Sequence, residues 1–169
     1  FRLNCPTNIG PVAATIDNCS AIVNLPALSY IGPCQATSVR WELTGATNGT
    51  INGTPVSYSF NAGVTNVRII ATNQYGVETS CEFTVTVEDN QPPSITCPSD
   101  ITETTDEDLC LKNINVPNPT FSDNCGGAAG VTLLTWSMSG ATTGTSPMTG
   151  INYVGTQTFN PGVTTINYS

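Results

Sequence analysis

Internal self-similarity constrains this chain more than any other feature. Leu3-Asn4-Cys5-Pro6-Thr7-Asn8-Ile9 recurs as Ile95-Thr96-Cys97-Pro98-Ser99-Asp100-Ile101, 92 residues further on. Cys19 and Cys34 recur as Cys110 and Cys125, both at an offset of 91. Trp41-Glu42-Leu43-Thr44-Gly45-Ala46-Thr47 matches Trp136-Ser137-Met138-Ser139-Gly140-Ala141-Thr142 at 95, and Phe60-Asn61-Ala62-Gly63-Val64-Thr65 matches Phe159-Asn160-Pro161-Gly162-Val163-Thr164 at 99. Five landmarks in the same order, at offsets that drift slowly upward, describe two copies of one structural plan with small loop insertions.

The first copy continues through Val67-Arg68-Ile69-Ile70-Ala71-Thr72 and the turn Asn73-Gln74-Tyr75-Gly76. It closes on Cys81-Glu82-Phe83-Thr84-Val85-Thr86-Val87, whose alternation with period two is that of a half-buried strand. The second copy reaches Ser169 inside the segment that matches Val67 to Thr72. The expected organisation is a complete repeat over residues 1–90 and a second over 91–169, cut before its last strand. That would also account for the odd number of cysteines.

Composition agrees with strands. Only 9% of residues are charged, against roughly 25% in an ordinary soluble protein. Thr, Ser and Asn supply the polarity, and 15 Gly and 12 Pro punctuate it. Thr favours a pleated backbone, whereas Gly, Pro and Asn favour turns. Strands are expected near residues 9–15, 20–25, 37–43, 55–60, 65–72 and 80–87, with counterparts in the second copy. Short strands with turn signals every 8 to 12 residues predict an all-β, antiparallel sandwich. Trp41 and Trp136 fall on the third strand, where a large ring fills the space between sheets.

The formal charge is −8, and the four basic residues Arg2, Arg40, Arg68 and Lys112 are scattered. Nucleic-acid binding, which needs clustered cations to displace counterions, is not expected. No apolar run reaches the ~18 residues of a membrane helix, so no membrane insertion is expected. Nucleophilic catalysis of the Ser–His or Cys–His kind has no base, because His is absent. Asp106-Glu107-Asp108 read as an exposed acidic turn rather than a glycosidase pair. No Gly-rich phosphate loop opens a helix. The chain is expected not to be an enzyme. Seven cysteines without His or a CxxC pair point to disulfides and a location outside the cytoplasm. The start at Phe1 reads as a processed product or a fragment. Asn18-Cys19-Ser20, Asn48-Gly49-Thr50 and Asn52-Gly53-Thr54 fit the N-glycosylation sequon, and also fit plain turns.

With these landmarks in place, the sequence resembles the hyalin-repeat (HYR) family of Ig-like modules. The stretch Val87-Glu88-Asp89-Asn90-Gln91-Pro92-Pro93-Ser94-Ile95-Thr96-Cys97-Pro98 is similar to that family's junction between consecutive modules. Cys81-x-Phe83-x-Val85-x-Val87 and Ser122-Asp123-Asn124-Cys125 fit it as well. Ile31-Gly32-Pro33-Cys34 and the turn Asn73-Gln74-Tyr75-Gly76 depart from it. The resemblance implies tandem Ig-like antiparallel β-sandwiches, the second incomplete, in an extracellular adhesion protein at the cell surface. The four-cysteine, Thr-rich version looks most like modules of very large surface proteins of gliding or type 9-secreting Bacteroidota. The implied role is a spacer or attachment module. Its partners would be neighbouring repeats of the same chain, and glycans or surface and secretion-machinery proteins. A glycan- or protein-binding module, with Tyr58, Tyr75 and Tyr153 as the candidate contact residues, is the alternative, either in its own right or as the accessory module of a secreted enzyme.

In an Ig-like sandwich the first and last strands start at the same end, so Cys5 is expected to pair with Cys81. Cys19 with Cys34 and Cys110 with Cys125 follow by elimination, provided Leu25-Pro26-Ala27-Leu28 folds back. Cys97 is then unpaired, unless the missing strand comes from another chain. At the junction, Glu88, Asp89 and Asn90 face the loop containing Asp123 and Asn124 in the sandwich scheme. Such hard oxygen donors suit Ca²⁺, although Asp89-Asn90 as an Asx turn and Asp123-Asn124 as a capped loop satisfy the same residues.

Overall fold

A computed structural model describes all residues, Phe1–Ser169. The protein is all-β, apart from one 3₁₀ turn at Ala128–Gly130. It divides into two compact units, Phe1–Gln91 and Pro92–Ser169.

Unit 1 contains β1 (Arg2–Asn4), β2 (Ile9–Ala13), β3 (Ser20–Asn24), β4 (Ser29–Ile31), β5 (Ala36–Gly45), β6 (Gly49–Asn52), β7 (Ser57–Asn61), β8 (Gly63–Asn73) and β9 (Glu78–Glu88). Five of these form one sheet in the order β2-β9-β8-β5-β6, while β3 pairs with β7 and β1 with β4. The hairpin β8–β9 is the longest pairing, running from Gly63↔Val87 to Thr72↔Glu78. Its turn is closed by Asn73, whose Oδ1 accepts the N–H of Tyr75 (2.9 Å) and of Val77 (3.0 Å). Alternation puts Thr65, Val67, Ile69 and Ala71 of β8 and Phe83, Val85 and Val87 of β9 on the buried face.

That face packs on Ala21 and Val23 of β3, Phe60 of β7 and Leu3 of β1. Trp41 is 1% exposed; it meets Phe83 edge-on at 6.3 Å and donates Nε1–H to the carbonyl of Gly53 at 2.9 Å. Both the ring and its polar tip are thus satisfied inside the core. On the outer face, Glu42, Arg68 and Glu82 sit opposite one another on β5, β8 and β9, and their ion pairs are half-exposed. Pairs of this kind add little stability.

One pairing is not antiparallel. β2 runs parallel to β9, with Ile9 beside Val85 and Ala13 beside Glu88. The cause is the common starting end of the two segments: Cys5 is bonded to Cys81, so the chain leaves that end twice in the same direction.

Unit 2 contains β10 (Ser94–Thr96), β11 (Lys112–Asn115), β12 (Thr120–Ser122), β13 (Trp136–Gly140), β14 (Gly144–Thr145), β15 (Thr156–Phe159) and β16 (Thr164–Tyr168). Its pairings are β10–β12, β11–β15, β13–β14 and β13–β16. They connect the positions that the sequence offsets relate to β1–β4, β3–β7, β5–β6 and β5–β8. Trp41↔Ile69 in unit 1, for example, has the counterpart Trp136↔Tyr168 in unit 2. The small core is Val116, Met138 and Val154, with Trp136, Phe159, Ile166 and Tyr168 partly buried around it.

The same polar corner closes both units. The Thr47 hydroxyl accepts the N–H of Asn61 (2.8 Å), and the Thr65 hydroxyl accepts the N–H of Thr47 (3.0 Å). The Asn61 amide also donates to the carbonyl of Ala46 (3.1 Å). In unit 2, Thr142 accepts from Asn160 (2.9 Å), Thr164 accepts from Thr142 (3.0 Å), and Asn160 donates to Ala141 (2.9 Å). Gly45 and Gly140 precede each corner at φ +105° and +100°. A Cβ at either would strike the carbonyl oxygen of Val64 or Val163, so a residue without one is required.

Thr47→Val is expected to leave the Asn61 N–H without its acceptor and to cost about 1–3 kcal/mol. Thr142→Val should do the same through Asn160. Urea unfolding monitored by circular dichroism checks both, against the exposed control Thr50→Val, for which a change within about 0.5 kcal/mol is expected.

Candidate functional site

Unit 2 carries a groove of about 660 Å³ between the segment Cys97–Glu103 and the strand β16. Ile114, Val116, Phe159, Ile166 and Tyr168 supply apolar lining, and the exposed thiol of Cys97 stands on its wall. β16 hydrogen-bonds only to β13, so its other edge is open along the groove. In unit 1 the corresponding strand β8 is covered on both sides, by β5 and by β9. Phe60, beneath β9, is fully buried, whereas its counterpart Phe159 is only partly so. Burial raises the Tyr168 phenol above its usual pKa.

Cys5 and Cys81 form a disulfide, with their Cα atoms 5.6 Å apart. The expected bonds Cys19–Cys34 and Cys110–Cys125 are not formed, because Cys34 and Cys110 are free thiols, as is Cys97. The reason is distance. The carbonyl of Cys19 accepts the N–H of Ala62, beside Gly63 and Val87 at the end of β9. Gly32, two residues before Cys34, lies against Phe1, and Leu3 hydrogen-bonds to Thr79 near the start of β9. The eight steps from Thr79 to Val87 span about 27 Å of strand, far beyond the roughly 7 Å limit for a disulfide. Leu25–Leu28 does not fold back, and β4 carries the chain on to β1. The equivalent run in unit 2, β11 to β12, separates Cys110 from Cys125.

Two of the five proposed oxygen donors also accept hydrogen bonds from the backbone. Asp89 accepts the N–H of Gln91 at 3.1 Å, and Asp123 accepts the N–H of Cys125 at 2.7 Å, both as Asx turns. Glu88 ends β9, and its carbonyl accepts the N–H of Ala14. Asn90 is exposed, and Asn124 sits partly buried in its turn. Glu88, Asp89 and Asn90 belong to unit 1, Asp123 and Asn124 to unit 2.

Asp106-Glu107-Asp108 form an exposed turn, and Asp106 pairs with Lys112. The hydrogen bond to Asp106, and then its charge, raise the Lys112 ammonium pKa. The Asn48 side chain is folded back onto Gly45, accepting its N–H and donating to its carbonyl, so the sequon asparagine serves the β5–β6 turn. Trp41 is enclosed and Trp136 partly so, which leaves neither as an open stacking surface. Tyr58 packs edge-on against Phe60, while Tyr75 stands exposed at the tip of the β8–β9 turn and Tyr153 is exposed in unit 2.

Comparisons with protein-family models, with curated proteins and with solved structures each return no match.

Thiol titration of the native chain with an aromatic disulfide should release three equivalents, from Cys34, Cys97 and Cys110. Non-reducing peptide mapping should recover the Cys5–Cys81 bond. The double substitution Cys5→Ser, Cys81→Ser should destabilise unit 1 by about 4 kcal/mol, from the chain entropy regained by the unfolded state, as read in thermal melts.

Proposed function

We propose that this chain is a structural segment of an extracellular stalk or adhesin, in which tandem Ig-like modules act as a spacer or surface attachment element. The observation that carries the reading is the repetition: two compact units built on the same strand pairings and the same threonine corner. Repetition of a small unit lengthens a protein without adding a reaction centre, and each unit can be multiplied without redesign. Four disulfide-bonded cysteines in so small a chain, Cys5, Cys19, Cys81 and Cys125, fit an oxidising, non-cytoplasmic compartment. The low charge and Thr-rich surface suit a segment that presents something else rather than binding strongly itself.

The Cys5–Cys81 bond suits such a role in a further way. Tension applied between the two ends of unit 1 enters near Cys5 and leaves beyond Cys81, so the covalent bond carries it past the residues in between. In single-molecule pulling of the chain, unit 1 should lengthen little while oxidised. With a reductant it should release about 270 Å more, for 76 residues at ~3.6 Å each. Equal lengthening with and without reductant would remove this support for a tension-bearing spacer.

A further inference from the structure

The free thiols Cys34 and Cys110 stand at different ends of their own units. In unit 1, Cys34 lies two residues before Ala36, which pairs with Asn73 at the head of the β8–β9 turn. At this turn end Ile31, Tyr75 and Val77 are exposed by 54%, 73% and 52%, and Arg2 stands opposite Ile31. In unit 2, Cys110 lies two residues before Lys112, which pairs with Phe159 beside the threonine corner. At this corner end Leu109, Leu111 and Val163 are exposed by 57%, 44% and 82%, and Glu107 and Asp108 precede Leu109. The repeat counterpart of Cys110 is Cys19, whose carbonyl accepts the N–H of Ala62 at the corner end of unit 1. The counterpart of Cys34 is Cys125, which follows β12 where Ser122 pairs with Ser94. Both counterparts are disulfide-bonded. Each of the two positions is therefore a disulfide position in one unit and a free thiol in the other. Large apolar side chains exposed together mark a contact surface, and a thiol left over in an oxidising compartment points to pairing between molecules.

We propose that this chain associates head to tail with further copies of itself. The corner end of unit 2 in one copy docks on the turn end of unit 1 in the next, and a disulfide between Cys110 and Cys34 seals the contact. The occupant is a second copy because the two ends complement each other and not themselves. Both are apolar, one adds Glu107 and Asp108 and the other Arg2, and each brings one thiol. Glu78, also at the turn end, is hydrogen-bonded to Thr72. A surface that meets a different surface on its partner leaves one end open at each step, so copies add in series instead of closing as a dimer. The inference rests on the spacer reading and its oxidising compartment, and supplies the way in which segments are joined. The bond forms by exchange with a small-molecule disulfide, oxidised glutathione in the test below. The Cys110 thiolate attacks it and one glutathione thiol leaves. The Cys34 thiolate of the next copy then attacks the Cys110 sulfur of the mixed disulfide, and the second glutathione thiol leaves. The two cysteines are oxidised and the small disulfide is reduced.

The test uses the full 169-residue chain carrying Cys97→Ser, incubated in a glutathione redox buffer and resolved without reductant. A ladder of linked multimers that collapses on reduction is expected, with Cys34–Cys110 as the cross-link recovered by peptide mapping. Chains that also carry Cys34→Ser or Cys110→Ser should each stay monomeric alone. Their mixture should give a dimer and nothing larger, at least tenfold faster than either chain by itself. Leu109→Asp with Leu111→Asp on the Cys34→Ser chain should slow that dimer at least tenfold, with circular dichroism unchanged. Tyr75→Ser with Val77→Ser on the Cys110→Ser chain should do the same from the other side of the contact. Symmetric Cys34–Cys34 or Cys110–Cys110 dimers, a Cys34–Cys110 bond inside one monomer, or an undiminished rate with both sets of surface variants would each overturn the proposal. Monomer alone, with the Cys5–Cys81 bond recovered intact, would overturn it too while leaving the spacer reading standing.

Discussion

The hydrogen-bonded corner at Thr47 and Thr65, repeated at Thr142 and Thr164, is the constraint on which both units depend. Here the turn between two strands of one sheet, β5–β6 in unit 1 and β13–β14 in unit 2, is tied to the crossing by which the chain passes from the other sheet, between β7 and β8 and between β15 and β16. Buried N–H groups left unpaired cost free energy comparable to a lost hydrogen bond. Two hydroxyls and one amide satisfy them at a fixed spacing, so the sheets meet in only one register. The glycines before each corner supply the backbone conformation that the crossing needs.

From that corner the role of β9 follows. β9 is an interior strand of the five-stranded sheet of unit 1: it hydrogen-bonds to β8 on one side and β2 on the other, seals the core with Phe83, Val85 and Val87, and is tied to the start of the chain at Cys81. Burial of each of those three side chains is worth about 1.5–3 kcal/mol. Unit 2 shares the corner and four pairings, yet its aromatic residues stay half-exposed, because no strand closes the side on which β9 lies in unit 1. The difference between the two cores is a difference of one strand.

The strands near residues 20–25, 37–43, 55–60, 65–72 and 80–87 were legible because each carries apolar side chains at alternate positions over at least five residues, whereas the one near 9–15 lacks that alternation. β1, β4 and β6 were not. Ser29-Tyr30-Ile31 and Gly49-Thr50-Ile51-Asn52 are too short for periodicity to register. They are strands because a neighbour supplies a hydrogen-bonding edge: β1 for the first, β5 for the second. The groove of unit 2 was equally invisible as a site, since its lining residues look like ordinary core positions. Only its unpaired edge distinguishes it.

Cysteine pairing marks the boundary most clearly. The repeat pattern alone places Cys5 before the first strand and Cys81 at the head of the last, and both ends of a sandwich follow from that. Whether Cys19 can reach Cys34 depends on the direction that Leu25–Leu28 takes, and that direction is set by β4 finding β1 across the sheet. Self-similarity, strand period and turn residues are local properties, so the sequence by itself determined the all-β character, the two-unit plan and the buried face of each long strand. Contacts between segments far apart in the chain depend on three-dimensional distance. Only the tertiary structure could decide the parallel β2–β9 pairing, the three free thiols and the open edge beside Cys97.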